Sequence, residues 1–123
     1  MNTTQNSMFA TNQFLLGTFA SNCSGGMSVT KVPERWNNSW DNNLKLAKQL
    51  DAAGIEFMLP IARWIGYGGE TNFHGGVLET MTWAAGLLAH TQNLNVFATI
   101  HHSQIYDDLD RSVFNRQDHM TSA

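Results

Sequence analysis

The chain has 123 residues, of which 42% are hydrophobic and 14% charged, and this balance predicts one folded domain and excludes generic disorder. A net charge of −3 argues against a nucleic-acid-binding surface. No apolar run reaches the roughly 18 residues of a membrane helix, and the single cysteine, Cys23, excludes an internal disulfide. The first eight residues lack the pattern of a signal peptide, so we expect a cytoplasmic protein.

The first half of the chain predicts a lead-in, a strand and a helix. Residues 1–12 are polar and rich in Asn and Thr, which indicates a flexible lead-in. The continuous apolar run 14–20 predicts a strand that is buried on both faces. Asp41 is the predicted N-cap of a helix whose apolar residues recur every three positions from Leu44 to Ala53, before Gly54, where a C-terminal glycine is expected.

The second half continues the same alternation. Residues 55–62 predict a second strand that ends near Leu59, because the proline that follows cannot donate to a sheet. Val77 begins a second predicted helix that ends near residues 92–93. The apolar residues of 94–100 then predict a third strand.

This order of strands and helices predicts an α/β fold with parallel strands and right-handed crossovers. Both long loops, 21–38 and 63–76, follow strands, whereas the loops after the helices are short. Ligands of α/β proteins bind at the carboxyl ends of the strands. We therefore expect the functional site on the side of the two long loops.

Arg63 and Trp64 directly follow the second predicted strand. An arginine there can hold an anionic ligand through two hydrogen bonds, and a tryptophan can stack on a flat ring. A structural interpretation is equally open, in which Arg63 pairs with Glu70 or Asp51 and Trp64 caps the core.

The remaining reactive side chains give weaker signals. Cys23 has the chemistry of a nucleophile, but no activating base follows from spacing, which favours a small half-buried thiol. His101 and His102 stand at the end of the third predicted strand, and with His74 they suggest a metal site. No cysteine or carboxylate has a matching spacing, so we predict no metal and interpret His101 as a pocket-lining or proton-handling residue.

Four stretches together resemble the N-terminal part of the bacterial-luciferase-like flavin-dependent monooxygenases, in the branch with the dimethylsulfone, alkanesulfonate and pyrimidine monooxygenases. They are residues 22–26, 59–73, 79–87 and 95–99. The resemblance covers roughly residues 12–101 and does not extend into 102–123.

The resemblance implies the first three β/α units of a truncated (β/α)8 TIM-type barrel, with residues 13–101 as the partial barrel domain. It implies reduced FMN as cosubstrate, supplied by a separate NAD(P)H-dependent flavin reductase. The reaction would use O2 to oxygenate a small organosulfur or heterocyclic substrate. By position, the resemblance assigns Leu59, Arg63 and Thr99 to flavin binding, Asn22 and Trp64 to substrate binding, and Thr99 and His101 to catalysis.

The family has a further strand and later phosphate-binding loops for which this chain has no counterpart. We therefore expect an incomplete fragment with little activity alone, in which 102–123 is an atypical polar tail of the kind that a shift of reading frame would produce. The alternative is a non-catalytic α/β module. Such a module would bind or scaffold by homo-oligomerising, or by pairing with a full-length relative, through its exposed sheet edges.

Overall fold

The computed structural model describes residues 7–11 and 14–100. Three strands and two helices alternate along it, after a short 3-10 turn at Ser7–Phe9. They are β1 (Gly17–Phe19), α1 (Trp40–Ala53), β2 (Phe57–Leu59), α2 (Thr80–Leu88) and β3 (Asn95–Val96). The predicted order of elements is confirmed, whereas the tail 102–123 lies outside the described residues.

The three strands form one parallel sheet in the order β1-β2-β3. In its register, Gly17 pairs with Phe57 and Met58 pairs with Val96. The strands are shorter than the apolar runs that predict them, at three, three and two residues. One reason is Ala20, whose positive φ of 66° turns the chain out of the extended conformation directly after β1.

The N-cap of helix α1 lies two residues before the predicted one. Ser39, not Asp41, is the N-cap, because its hydroxyl accepts a hydrogen bond from the N–H of Asn42 at 3.2 Å. Asp41 lies in the first turn, where its charge complements the helix dipole. The predicted end is confirmed, since Gly54 is the C-cap with a left-handed φ of 78°.

Helix α2 is shorter at both ends than the pattern predicts. It begins at Thr80 because Glu79 is its N-cap, with carboxylate oxygens that accept from the N–H groups of Met81 and Thr82 at 2.9 and 2.8 Å. Val77 instead forms an isolated antiparallel bridge with Cys23. The helix ends at Leu88 rather than near residues 92–93.

The segment after α2 is held by a side chain from α1. The carboxylate of Asp51 accepts hydrogen bonds from the backbone N–H groups of Gln92, Asn93 and Leu94, at 2.9, 2.9 and 2.8 Å. Partial burial opposes ionisation of Asp51, but these three bonds outweigh it and hold the pKa of the carboxyl below its usual value. One carboxylate thus joins the end of α1 to the start of β3.

The core lies between one face of the sheet and the two helices. Met58 is fully buried there and is surrounded by Ala47, Trp83, Ala84, Leu87 and Leu94. The indole of Trp83 also donates to Oδ1 of the buried Asn43 at 2.9 Å, which joins α2 to α1.

The opposite face of the sheet carries aromatic rings. Phe57 and Phe97 meet edge to face, with centroids 5.8 Å apart. The ring of Phe57 lies over Gly17, where a Cβ atom would be 2.3 Å from ring carbons. Phe19 and Phe97 on this face remain 47% and 40% exposed.

No helix in the described part of the chain is long and apolar enough to cross a membrane.

Candidate active site

A cavity of about 350 Å³ opens beyond the carboxyl ends of β2 and β3, at the start of α2. Its walls are mostly apolar and come from the segments after β2, before α2 and after β3. The lining residues are Ala62, Arg63, Trp64, Val77, Leu78, Glu79, Thr80, Met81, Thr99 and Ile100. The fold therefore brings three of the predicted site residues together, namely Arg63, Trp64 and Thr99.

Arg63 is held against a tyrosine. Its Nη2 donates to the hydroxyl of Tyr67 at 2.7 Å, and its Cζ lies 4.1 Å from the centroid of the same ring. The Nε atom is buried and has no hydrogen-bond partner among the described residues. Neither predicted ion pair forms: Glu70 pairs with Lys31, and Asp51 binds backbone N–H groups.

Thr99 is joined to the beginning of α2 through its backbone. Its carbonyl oxygen accepts a hydrogen bond from Oγ1 of Thr80 at 2.7 Å. Its own Oγ1 is buried and, within residues 7–11 and 14–100, has no partner. Two polar atoms of cavity-lining residues, Arg63 Nε and Thr99 Oγ1, thus retain free hydrogen-bonding capacity. Buried polar groups are rarely left in this state, so each needs an explanation.

Trp64 and Leu59 differ in their relation to the cavity. Trp64 lines it and is 67% exposed, so the interpretation of Trp64 as a core cap is wrong. Leu59 lies at the end of β2, half-buried and paired with Phe19, and it is not one of the lining residues. His101 lies outside the described residues.

Asn22 is fully buried and joins the segments that support the cavity. Its Nδ2 donates to the carbonyl oxygens of Ile61 and Leu78 at 2.8 and 3.1 Å, and its Oδ1 accepts from the N–H of Ile61 at 3.0 Å. Its backbone carbonyl accepts from the N–H of Leu78 at 2.9 Å. The side chain therefore holds the loop after β1 to the segment after β2 and the segment before α2.

Cys23 is a buried thiol, which supports its structural interpretation. Burial raises the pKa of the thiol, and this effect outweighs the opposing influences of the Arg63 charge and of the backbone of Ile61. Because the thiolate is the nucleophilic form, the raised pKa makes Cys23 a poor nucleophile at neutral pH.

His74 is buried at 2% exposure, with Nε2 2.6 Å from the carbonyl oxygen of Gly26. It packs against Phe73, with ring centroids 3.9 Å apart. Its role in the described chain is to connect the two long loops. Within that part of the chain, no group of three His, Cys, Asp or Glu residues is placed to hold a metal ion.

Sequence reasoning missed Tyr67 and Thr80. Tyr67 lies four residues after Arg63 in a glycine-rich loop, and only the loop conformation brings its hydroxyl to the guanidinium. Thr80 bonds to a residue 19 positions away, for which no local pattern exists.

An α/β sheet with its cavity at the carboxyl ends of parallel strands defines the class of barrel-type and related α/β ligand-binding proteins. Residues 15–107 match the luciferase-like monooxygenase family, and the chain belongs to that family. The match extends to residue 107, so the expectation that the resemblance does not extend into 102–123 is wrong for residues 102–107.

Three relatives illustrate the similarity. The pyrimidine monooxygenases RutA of Caulobacter segnis and Acinetobacter baylyi are 28% and 30% identical over 85 and 84 residues, which are 69% and 68% of this chain. The FMNH(2)-dependent dimethylsulfone monooxygenase of Pseudomonas fluorescens is 38% identical over 80 residues, or 64% of this chain. These matches cover 24%, 23% and 21% of the relatives, so the chain spans less than a quarter of their length.

Proposed function

We propose that this chain is part of an FMNH2-dependent monooxygenase that uses O2 to oxygenate a small organosulfur or heterocyclic substrate. The observation that carries the proposal is a pair of buried polar atoms, Arg63 Nε and Thr99 Oγ1, which have no partner among the described residues and belong to residues that line one apolar cavity. Small-molecule sites typically combine apolar walls with a few polar groups that fix orientation.

The residues present fit the ring portion of a flavin. An Arg N–H donor and a Thr hydroxyl can bind the carbonyl oxygens of such a ring, while Val77, Leu78 and Ile100 supply apolar contact. Reduced flavin supplies the electrons that activate O2. In this proposal Arg63, Thr99 and Leu59 bind the flavin, and Thr99 and His101 take part in catalysis.

The substrate would lie beside Trp64, which offers an exposed aromatic face at the cavity. Asn22 would support substrate binding indirectly, since its side chain holds the backbone of Ile61 and Leu78 in place. Sulfones carry sulfonyl oxygens and pyrimidines carry ring nitrogens, so both are small compounds with hydrogen-bond acceptors. The names of the relatives include both kinds of compound, which supports this range of substrates for the present chain.

The cavity has too little positive charge to hold the phosphate of a flavin. Among the described residues that line it, Arg63 is the one cation, and Glu79 adds a negative charge. We therefore propose that the chain alone has little activity and that further polypeptide completes the phosphate site. A separate flavin reductase in the cytoplasm would supply the reduced cofactor.

Anaerobic titration of photoreduced FMN into the chain tests the proposal. We expect binding that weakens by about tenfold in Arg63→Met and in Thr99→Val, since each change removes one hydrogen-bonding group. The control is Lys45→Met, which removes an exposed cation on α1, remote from the lining residues, and should leave binding unchanged. No binding by the wild-type chain, or equal binding by all four proteins, would refute the site.

The uncovered face of the sheet favours a second candidate function, in which the chain is a module that associates with a second copy or a full-length relative. Phe19 and Phe97 are nearly half exposed on this face, and an apolar surface of this kind is commonly an interface. Sedimentation velocity measures the oligomeric state. A dimer that Phe97→Ser converts to monomer would favour this function, whereas a monomer at all concentrations would contradict self-association.

A further inference from the structure

We infer that Tyr67 is a positioning residue for Arg63, and that it selects which face of the guanidinium a ligand can reach. The inference rests on the proposed function for its consequence, but its geometry stands on described contacts. Nη2 of Arg63 is occupied by the Tyr67 hydroxyl at 2.7 Å, and the tyrosine ring lies 4.1 Å from Cζ. Nε remains buried without a partner in the described chain.

Two separate interactions make this arrangement directional. The hydroxyl fixes one nitrogen of the planar group, and the cation–π contact fixes the plane of the guanidinium relative to the ring. A guanidinium held at two points cannot rotate freely about its side-chain bonds. Its remaining donors therefore face a defined direction before any ligand arrives.

Tyr67 is itself held by its own loop. Its ring stacks on Phe73, with centroids 5.4 Å apart and planes at 19°, and its N–H donates to the Phe73 carbonyl at 3.0 Å. Phe73 in turn stacks on the buried His74. The chain of rings from His74 to Tyr67 transmits the rigidity of the buried loop to Arg63, although Tyr67 is 64% exposed.

The consequence is selectivity for ligands that present an acceptor oxygen, such as a carbonyl or a sulfonyl group. The guanidinium of Arg63 has N–H donors and no acceptor, and it carries a fixed positive charge. A cationic or donor-only ligand would leave that group unpaired and would be repelled. Discrimination thus depends on Tyr67, although Tyr67 does not line the cavity.

The test is the ¹H–¹⁵N resonance of Arg63 Nε in the full chain, assigned by its loss in Arg63→Lys. We expect a dispersed, slowly exchanging signal in the wild type. Tyr67→Phe keeps the ring and should move the signal toward the free-arginine position, with faster solvent exchange. Tyr67→Leu removes the ring as well and should complete the change. Ser28→Ala, an exposed hydroxyl lost from the other long loop, is the matched control.

A merely structural role for Tyr67 would lower the melting temperature without moving the Arg63 resonance. An unchanged shift and exchange rate in both Tyr67 variants would therefore overturn the inference. Binding of FMN, uracil and dimethylsulfone by the same proteins is measured separately. If the wild type binds none of these probes while the Arg63 resonance responds as expected, the positioning role stands and the proposed function fails.

Discussion

Replacement of Asn22 by alanine should destabilise the whole fold, because this side chain satisfies three backbone groups that have few alternatives. Asn22→Ala removes the acceptor of the Ile61 N–H and the donors to the Ile61 and Leu78 carbonyls. A buried polar group that loses its partner costs about 1–3 kcal/mol. Water can enter the space left by the amide, so we take the lower figure for each group and expect a loss of about 3 kcal/mol.

Thermal unfolding followed by circular dichroism measures this effect. In a chain of 123 residues each kcal/mol shifts the melting temperature by about 4 °C, so the expected decrease is about 12 °C. Asn93→Ala is the matched control, because Asn93 is exposed in the turn after α2. A difference between the two variants of less than about 1 kcal/mol would refute the assignment of Asn22 as a buried connector.

Asn22→Asp is a second, pH-dependent test, because the aspartate side chain has nearly the same shape as that of asparagine. The new carboxylate would face the carbonyl oxygens of Ile61 and Leu78, so its folded-state pKa should rise above the unfolded value of about 3.9. A group with a raised folded pKa contributes stability below its unfolded pKa and loses it as the pH rises through the folded value. The variant should therefore approach wild-type stability near pH 4 and fall away from it by pH 7.

Three further predictions follow from other contacts. Asp51→Asn should cost about 1–2 kcal/mol by urea denaturation at pH 7, against a few tenths for the control Asp41→Asn on the same helix. Because the folded pKa of Asp51 is lowered from 3.8, the stability that its carboxylate contributes should persist above that pH and vanish as the pH falls through the folded value. A pH-independent difference between the wild type and Asp51→Asn would contradict this. Gly17→Ala should cost about 1–3 kcal/mol because its Cβ would meet the Phe57 ring at 2.3 Å, whereas Gly76→Ala, with no contact nearer than 3.9 Å, should be almost neutral in the same denaturation assay. Cys23 should react with iodoacetamide far more slowly in the native chain than in guanidinium at pH 7, and rapid native labelling would refute the burial argument. Because the folded pKa of the Cys23 thiol is raised above 9.0, wild-type stability should fall above that pH as the thiol ionises. Cys23→Ala should show no such fall.

The order of elements was predictable because apolar periodicity is a local property of the sequence. The cap of α1 was not, since Ser39 and Asp41 are both good capping residues, and only the backbone geometry shows that Ser39 accepts from Asn42. The early end of α2 had no local signal either. The N–H groups of residues 92–94 are satisfied by Asp51, which is more than forty residues away along the chain.

The candidate site shows the same division between local and distant information. The position of Arg63 and Trp64 at the end of a strand was sufficient to predict that they lie together at the carboxyl edge of the sheet, where both line the cavity. The partner of Arg63 was not predictable, because opposite charge favours Glu70 or Asp51, whereas the loop conformation brings Tyr67 to the guanidinium. The roles assigned to Leu59, Arg63, Thr99, Asn22, Trp64 and His101 stay predictions.

The parallel register has a consequence for how the chain folds. The bonds that flank the strand pairs join residues 40 positions apart at Leu16–Glu56 and 39 positions apart at Glu56–Asn95. Helices form within about a microsecond, whereas contacts between distant residues must first close a large loop. Arg63 and Thr99 depend on the second of these closures. Refolding experiments should therefore detect helical structure well before the cavity has formed. Assembly of the cavity completes the slowest step of folding.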